Sequence, residues 1–187
     1  RTVDNTLLFY PNARENRTYR IPDGIAAISA YAFYDCDLLE SVVIPDSITQ
    51  IPERAFYGCS ALASVSLPDS LTEIGIAAFS FCAALTDIRL PASITEISAG
   101  LFSGYSSLAT LEIPDSVTII GGDAFVGCTS LTSMTIPDSV TEIGANPFPR
   151  SGLQSITLSL DNPTFAVVDG AIVPMCSHVD STEHDVD

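Results

Sequence analysis

The sequence contains no lysine, and its seven basic residues are all arginine. Against them stand 23 acidic residues, which give a formal net charge of −16 and a pI of about 4.1. Nucleic acids and anionic membrane surfaces are bound through basic patches, so neither is an expected partner. Charged residues make up only 16% of the 187 residues, so a few positions carry the whole negative charge.

Long apolar runs and catalytic motifs are also missing. No stretch approaches the roughly 18 apolar residues of a membrane-spanning helix, so no membrane insertion is expected. No Gly-x-Ser-x-Gly, phosphate-binding loop or His-Glu-x-x-His motif occurs, and we predict no enzymatic activity. Yet 47% of the residues are hydrophobic and the mean hydropathy is +0.35, so the chain is expected to fold around a core.

An internal repeat organises most of the chain. The tripeptide Ile-Pro-Asp recurs, with Leu-Pro-Asp and Leu-Pro-Ala as variants, beginning at residues 21, 44, 67, 90, 113 and 136. These starts are 23 residues apart, and the last unit is one residue shorter. One such unit cannot bury enough apolar surface alone, so neighbouring units must stack. Six repeats are therefore predicted over residues 21–157.

Each unit is predicted to form a strand, a turn and a helical turn. Alternating apolar residues in Leu131–Ile136 are typical of a half-buried strand, which Pro-Asp-Ser then ends. Segments such as Ile76–Phe81 are short and carry alanine and phenylalanine, which favours one helical or 3₁₀ turn on the opposite side. Two of the five apolar columns are invariant: Ile28, Ile51, Ile74, Ile97, Ile120 and Ile143, and Phe33, Phe56, Phe79, Phe102, Phe125 and Phe148.

The repeat has the pattern Leu-x-x-Val-x-Ile-Pro-x-x-Val-x-x-Ile-Gly-x-x-Ala-Phe-x-x-Cys. It is represented here by Leu62, Val65, Leu67, Pro68, Leu71, Ile74, Gly75, Ala78, Phe79 and Cys82. This pattern resembles the BspA-like leucine-rich repeat family. The resemblance implies an α/β fold: a curved right-handed leucine-rich-repeat solenoid with a parallel sheet on the concave face and short helical turns on the convex face. The pattern is broken by Leu101, Tyr105, Pro147 and Ser151.

Four of the five cysteines occupy one column of the repeat, at Cys36, Cys59, Cys82 and Cys128. Stacked neighbours would lie within disulfide range, but parallel side chains in a core rarely have the required dihedral angle. We predict buried thiols, with disulfides and a metal site as alternatives. No zinc spacing is matched by the tail residues Cys176, His178, Glu183 and His184, and no metal or cofactor is predicted.

An acidic edge is predicted where the turns stack. Its members are the turn aspartates Asp23, Asp46, Asp69, Asp115 and Asp138, and Ala92 stands at the equivalent place in the remaining unit. Turn formation and solubility account for these residues. The alternative is a stripe for a cation or a basic partner, although a line of carboxylates supplies converging calcium ligands poorly.

The outward strand positions give the candidate binding site on the concave face. These residues are Asp87, Arg89, Thr110, Glu112, Ser133 and Thr135. Arg89 and Glu112 are expected to be cross-strand neighbours that could form a weak ion pair. No aromatic residue occurs at the outward strand positions, so no high-affinity anchor is predicted there.

The flanks differ from the repeats. We predict a hairpin-like flank or cap over residues 1–20, a hairpin-like cap over 158–173 and an acidic tail over 174–187. In Val167–Val173, Asp-Gly separates two apolar runs and favours a type I′ turn, and Val3–Phe9 repeats the pattern with Asn5. By the resemblance, such hairpins link successive runs of repeats. Because such a segment occurs at each end, we expect the chain to be a fragment of a longer protein with tandem solenoid blocks.

The leading functional hypothesis is an extracellular or cell-surface module for protein binding or adhesion. Its partner would be a protein ligand, or a host or matrix surface protein, bound by the concave face or the acidic edge. The secreted or cell-surface location follows from the resemblance. The alternative is a structural spacer in a longer tandem-repeat surface protein.

Overall fold

A computed structural model describes residues 5–12, 15–159 and 162–175. These residues form a solenoid of parallel strands with about seven turns. Most turns contribute one strand to a front side and a second, shorter strand to the next side. A run of tight turns, which we call the turn face, then returns the chain to the front.

The front strands carry the alternating pattern that was recognised in the sequence. They are β2 (Thr18–Arg20), β4 (Ser41–Val43), β6 (Ser64–Ser66), β10 (Ser133–Ile136) and β12 (Ser155–Leu158). β2, β4 and β6 form one parallel sheet, and β10 and β12 form another. Within the first sheet Ser41 pairs with Ser64, which lies 23 residues later, so the sequence repeat is one turn of the solenoid.

The second side is built from strands of two residues each. They are β1 (Thr6–Leu7), β3 (Ala27–Ile28), β5 (Gln50–Ile51), β7 (Glu73–Ile74), β8 (Glu96–Ile97), β9 (Ile119–Ile120) and β11 (Glu142–Ile143). They pair in parallel as β1 with β3, β5 with β7, and β8 with β9 and then β11. The second residue of each strand, which is isoleucine in all but β1, faces the core, and the first residue is more exposed.

The predicted core columns are confirmed. The rings of Phe33, Phe56 and Phe79 are fully buried and stack, with centroids 4.6 Å and 5.1 Å apart. Phe125 stacks in the same way between Phe102 and Phe148, with centroid distances of 5.6 Å and 5.5 Å. Stacked rings bury large apolar areas, so this column contributes strongly to the stability of the solenoid.

The predicted helical turns are wrong. No helix occurs among the described residues, and none of these residues forms an apolar helix that could cross a membrane. Two positions of each turn-face segment have positive φ, as at Tyr31 (62°) and Asp35 (51°). The Phe33 amide donates to Ala55 and the Asp35 amide to Tyr57, both on the next turn of the solenoid. Alternate amides of the segment do bond three residues back, but the left-handed residues and the inter-turn bonds of the other amides prevent a continuous helix.

Strand pairing is interrupted between the two halves of the solenoid, although the turn face continues there, and we call residues 87–112 the seam. Within the described chain, residues 87–89 and 110–112 pair with no strand, and β7 is not paired with β8. Two bulky buried residues lie here, Leu101 at the alanine column and Tyr105 at the cysteine column. The Tyr105 ring packs edge-on against Phe102 with centroids 5.4 Å apart. The stack has to accommodate the extra volume of these side chains at this point.

The two flanks have different geometry. β13 (Phe165–Val168) and β14 (Ala171–Pro174) form an antiparallel hairpin, and its turn residues Asp169 and Gly170 both have positive φ, as a type I′ turn requires. At the other end, Asn5 has positive φ, and β1 adds in parallel to the first repeat. Residues 1–4 and 176–187 lie outside the described residues, as do the first arm of the predicted N-terminal hairpin and nearly all of the predicted tail.

Candidate functional site

The six predicted binding residues all lie exposed on the front side. Asp87, Arg89, Thr110, Glu112, Ser133 and Thr135 point outward. Between them Ile88 and Met134 are buried in the core, with relative exposures of 4% and 3%. The period-two alternation therefore places the polar side chains on one surface, as a strand-like backbone does.

The backbone beneath four of these residues is not a sheet. Asp87, Arg89, Thr110 and Glu112 lie at the seam, where the described residues form no ladder hydrogen bonds, whereas Ser133 and Thr135 belong to β10. The prediction that Arg89 and Glu112 are neighbours on paired strands is therefore wrong, because neither residue belongs to a strand. The ion pairs of the described residues are Arg17–Glu40, Arg20–Asp23 and Arg54–Glu53, so Arg89 and Glu112 remain unpaired.

The acidic edge is partly assembled into one depression. Its lining includes Asp23, Asp46 and Asp69 together with Arg20, and its volume is about 580 Å³. Arg20 pairs with Asp23 at 3.1 Å between Nη2 and Oδ1. Asp115 is exposed and Asp138 is half-buried at the equivalent positions of later turns. Throughout the described part of the chain, no three His, Cys, Asp or Glu side chains cluster closely enough to hold a metal ion.

Hydroxyl columns beside the acidic edge hold successive turns together. Ser47 Oγ donates to the Ile25 carbonyl at 2.7 Å, and Ser116 Oγ donates to the Ile94 carbonyl at 2.6 Å. Thr72 Oγ1 likewise donates to the Thr49 carbonyl at 3.1 Å. These side chains therefore satisfy backbone carbonyls of the preceding turn.

The repeat cysteines are buried free thiols, as predicted. Cys59 Sγ donates to the Phe33 carbonyl at 3.0 Å and Cys128 Sγ to the Phe102 carbonyl at 3.1 Å. Burial raises the pKa of the Cys128 thiol to about 12, and burial also raises the pKa of Tyr105. A protonated thiol is a poor nucleophile and metal ligand, so this column serves packing.

An exposed row of rings lies on the turn face of the first half. Tyr31, Tyr34, Tyr57 and Phe81, which we call the aromatic patch, follow one another with centroid distances of 5.7, 5.1 and 5.3 Å. Tyr34 and Tyr57 are parallel to within 2°. Arg54 Nη1 donates to the Tyr31 hydroxyl at 2.9 Å, and this hydrogen bond raises the pKa of Arg54. Large exposed aromatic surfaces are typical of interaction sites.

The repeat pattern has a counterpart among known protein families. Residues 101–166 match the family described as "BspA type Leucine rich repeat region (6 copies)". The chain belongs to the BspA-type leucine-rich repeat family. Its period, its core columns and its parallel strands are thereby accounted for together.

Solved leucine-rich repeat structures resemble this BspA-type chain. A leucine-rich cell surface protein from Faecalibacterium prausnitzii shares 31% identity over 78% of this chain and 48% of its own, with a TM-score of 0.63. The leucine-rich repeat protein of T. pallidum shares 29% identity over 81% and 62%, with a TM-score of 0.50. A leucine-rich repeat protein from Eubacterium ventriosum has a TM-score of 0.70 at 23% identity over 91% and 51%, which shows a common fold.

The BspA-type chain is shorter than these neighbours. It spans 48%, 62% and 51% of the lengths of the three proteins. A comparison with curated proteins finds no match. The neighbours therefore describe the repeat architecture and, in one case, a cell-surface protein.

The repeat pattern of the BspA-type sequence does not predict the aromatic patch. Its four rings occupy three different positions of the repeat, so no single column reveals them. The available signal was that Tyr34 and Tyr57 are 23 residues apart and therefore adjacent on the solenoid. The packing of Tyr31 and Phe81 against these two rings joins different repeat positions, which the spacing alone does not predict.

Proposed function

We propose that this chain is a protein-binding or adhesion module of a secreted or cell-surface protein. The partner is a host or matrix surface protein, and the front side binds it. The F. prausnitzii neighbour, which is described as a cell surface protein, supports the location. The observation that carries the proposal is the row of exposed, unpaired charges at the seam.

Three features make this row suitable for a partner. The side chains of Asp87, Arg89 and Glu112 are exposed, and no ion pair within the described chain engages them. Their neighbours Thr110, Ser133 and Thr135 are small, so a partner surface can approach closely. Unpaired charges of both signs contribute chiefly to specificity and to the rate of association.

The backbone of the seam offers a further set of contacts. The N–H and C=O groups of residues 87–89 and 110–112 take part in none of the backbone hydrogen bonds that the described residues form. Free backbone groups beside exposed side chains are a common feature of peptide-recognition surfaces. The acidic edge at Asp23, Asp46 and Asp69 supplies a second contact surface, because its depression also reaches the front residues Val43 and Ser66.

A binding assay with matrix proteins tests the proposal. Purified fibronectin, laminin and collagen are immobilised, and the chain is applied in physiological salt. The test variant combines Asp87→Asn, Arg89→Gln and Glu112→Gln. The matched control combines Glu96→Gln, Glu142→Gln and Arg150→Gln, which removes the same charges outside the candidate row.

We expect at least one probe to bind the wild type and the control alike and to bind the test variant about tenfold more weakly. Equal binding of test variant and control would reject the front row as the site. Failure of every probe, together with undiminished function of the longer protein after these substitutions, would favour the spacer alternative.

A further inference from the structure

The aromatic patch exposes more apolar surface than the solenoid requires. Tyr31 is 43% exposed, Tyr34 37% and Phe81 48%, and Tyr57 is half-buried between them. None of these rings belongs to the buried phenylalanine column, which already fills the core beneath. Exposed rings in contact with one another over three turns are informative, because isolated exposed apolar residues are common but contiguous patches are not.

The second half shows that the repeat does not need these rings. At the positions equivalent to Tyr31 and Tyr34, the turn face carries Gly100 and Ser103 in one turn and Asp123 and Val126 in the next. Both turns keep the inter-turn backbone hydrogen bonds and the buried phenylalanine. The rings are therefore a local addition to the surface and are dispensable for the backbone geometry.

Three acidic residues, Asp35, Asp37 and Glu53, belong to the same turn-face segments as the patch or directly follow them. Asp35 and Asp37 are exposed; Asp35 packs over Gly58, and Asp37 accepts a hydrogen bond from Ser60 Oγ at 3.0 Å. The neighbouring cation, Arg54, is neutralised by Glu53 at 2.9 Å. The ring faces themselves carry negative potential. The patch and its rim, Asp35, Asp37 and Glu53, carry three carboxylates against the one guanidinium of Arg54, so this aromatic surface has net negative charge.

We propose that the aromatic patch and its acidic rim bind a basic protein segment rich in arginine. Guanidinium groups stack on aromatic faces and pair with carboxylates, so such a segment matches both features of this surface. Interfaces of this kind draw most of their affinity from a few aromatic anchors, while the rim charges select the partner. The site is separate from the front side, and it rests on the proposed function only in that the chain binds protein.

Titration with a fluorescein-labelled peptide of nine arginines in 150 mM salt tests the proposal, using the whole chain. The aromatic variant combines Tyr34→Ser, Tyr57→Ser and Phe81→Ser, which leaves the net charge unchanged. Its control combines Val167→Ser and Val168→Ser, which removes exposed apolar side chains elsewhere. We expect Kd to rise at least tenfold in the aromatic variant and to change less than twofold in the control.

A second pair of variants separates the rim from general charge attraction. The rim variant combines Asp35→Asn, Asp37→Asn and Glu53→Gln, and its control combines Glu73→Gln, Glu96→Gln and Glu142→Gln, which removes three exposed carboxylates from the second side of the solenoid. We expect a Kd increase of at least fivefold for the rim variant and less than twofold for the control. Equal losses in both would overturn the proposal, because the peptide would then be responding only to net charge.

Further measurements exclude trivial causes. Circular dichroism must show that each variant is folded. The double variant Tyr34→Phe, Tyr57→Phe keeps the ring faces and should retain peptide binding. If the wild type self-associates and the aromatic variant does not, the patch binds a second copy of this chain, and the proposal is overturned. The front-side variant should bind the peptide normally, so failure of matrix binding with intact peptide binding would reject the front site alone.

Discussion

The half of the solenoid before the seam and the half after it bury the same columns but differ in packing and surface. Before the seam the front strands β2, β4 and β6 form one continuous sheet, and the turn face carries the aromatic patch. After it the phenylalanine centroids are farther apart, 5.6 Å and 5.5 Å against 4.6 Å and 5.1 Å. The shared columns maintain the fold, and the positions at which the halves differ are where binding surfaces arise.

The largest expected effect comes from the phenylalanine column. Phe56→Ala removes a fully buried ring that stacks between two others, and it should reduce the free energy of unfolding by about 3–5 kcal/mol. Phe125→Ala, in the more widely spaced half, should cost somewhat less. Urea unfolding followed by circular dichroism measures both. A loss below about 1.5 kcal/mol at Phe56 would contradict the importance of the column.

A smaller loss is expected where the backbones of adjacent turns approach closely. A Cβ at Gly121 would lie 2.5 Å from the Ala99 nitrogen, so Gly121→Ala should destabilise the second half by about 1–3 kcal/mol. At Gly24 nothing lies within 4 Å, and Gly24→Ala serves as the matched control in the first half. Thermal unfolding of the two variants should separate clearly, and identical melting temperatures would disprove the close approach.

The seam should open more readily than the sheets on either side. Residues 87–89 and 110–112 lack ladder hydrogen bonds in the described chain, whereas 41–43 and 64–66 have them. Hydrogen exchange should therefore be at least tenfold faster at the seam amides, which corresponds to an opening free energy about 1.4 kcal/mol lower. Uniform protection across all four segments would show that the two halves are one continuous sheet.

The smallest effect is expected for the charges of the front row. Arg89 and Glu112 form no ion pair among the described residues, so Arg89→Ala and Glu112→Ala should each change stability by less than about 0.5 kcal/mol. Chemical denaturation of the two variants and the wild type measures this. If the stability change of the double variant differs from the sum of the two single changes, Arg89 and Glu112 interact. The front row would then contribute to stability and would not be free for a partner.

The sequence predicts which side chains of the candidate site point outward, but it does not predict how the backbone beneath them pairs. Outward positions such as Arg89 and Thr135 were predictable, because alternation about buried Ile88 and Met134 follows from the chain alone. Pairing across the seam was not predictable, since it depends on how the stack accommodates Leu101 and Tyr105. The turn face was misjudged because short alanine- and phenylalanine-bearing segments suit a helical turn equally well until neighbouring turns offer carbonyl acceptors.

Part of the excess of acid now has a place in the structure, because Asp23, Asp46 and Asp69 line one depression. Spacing and residue type were enough to establish the 23-residue turn and the buried columns, because a repeat aligns equivalent side chains wherever it stacks. Contacts between different columns were decided only in three dimensions. The rings of Tyr31, Tyr34, Tyr57 and Phe81 pack in a row although they occupy three different positions of the repeat, and one-dimensional periodicity does not encode that arrangement.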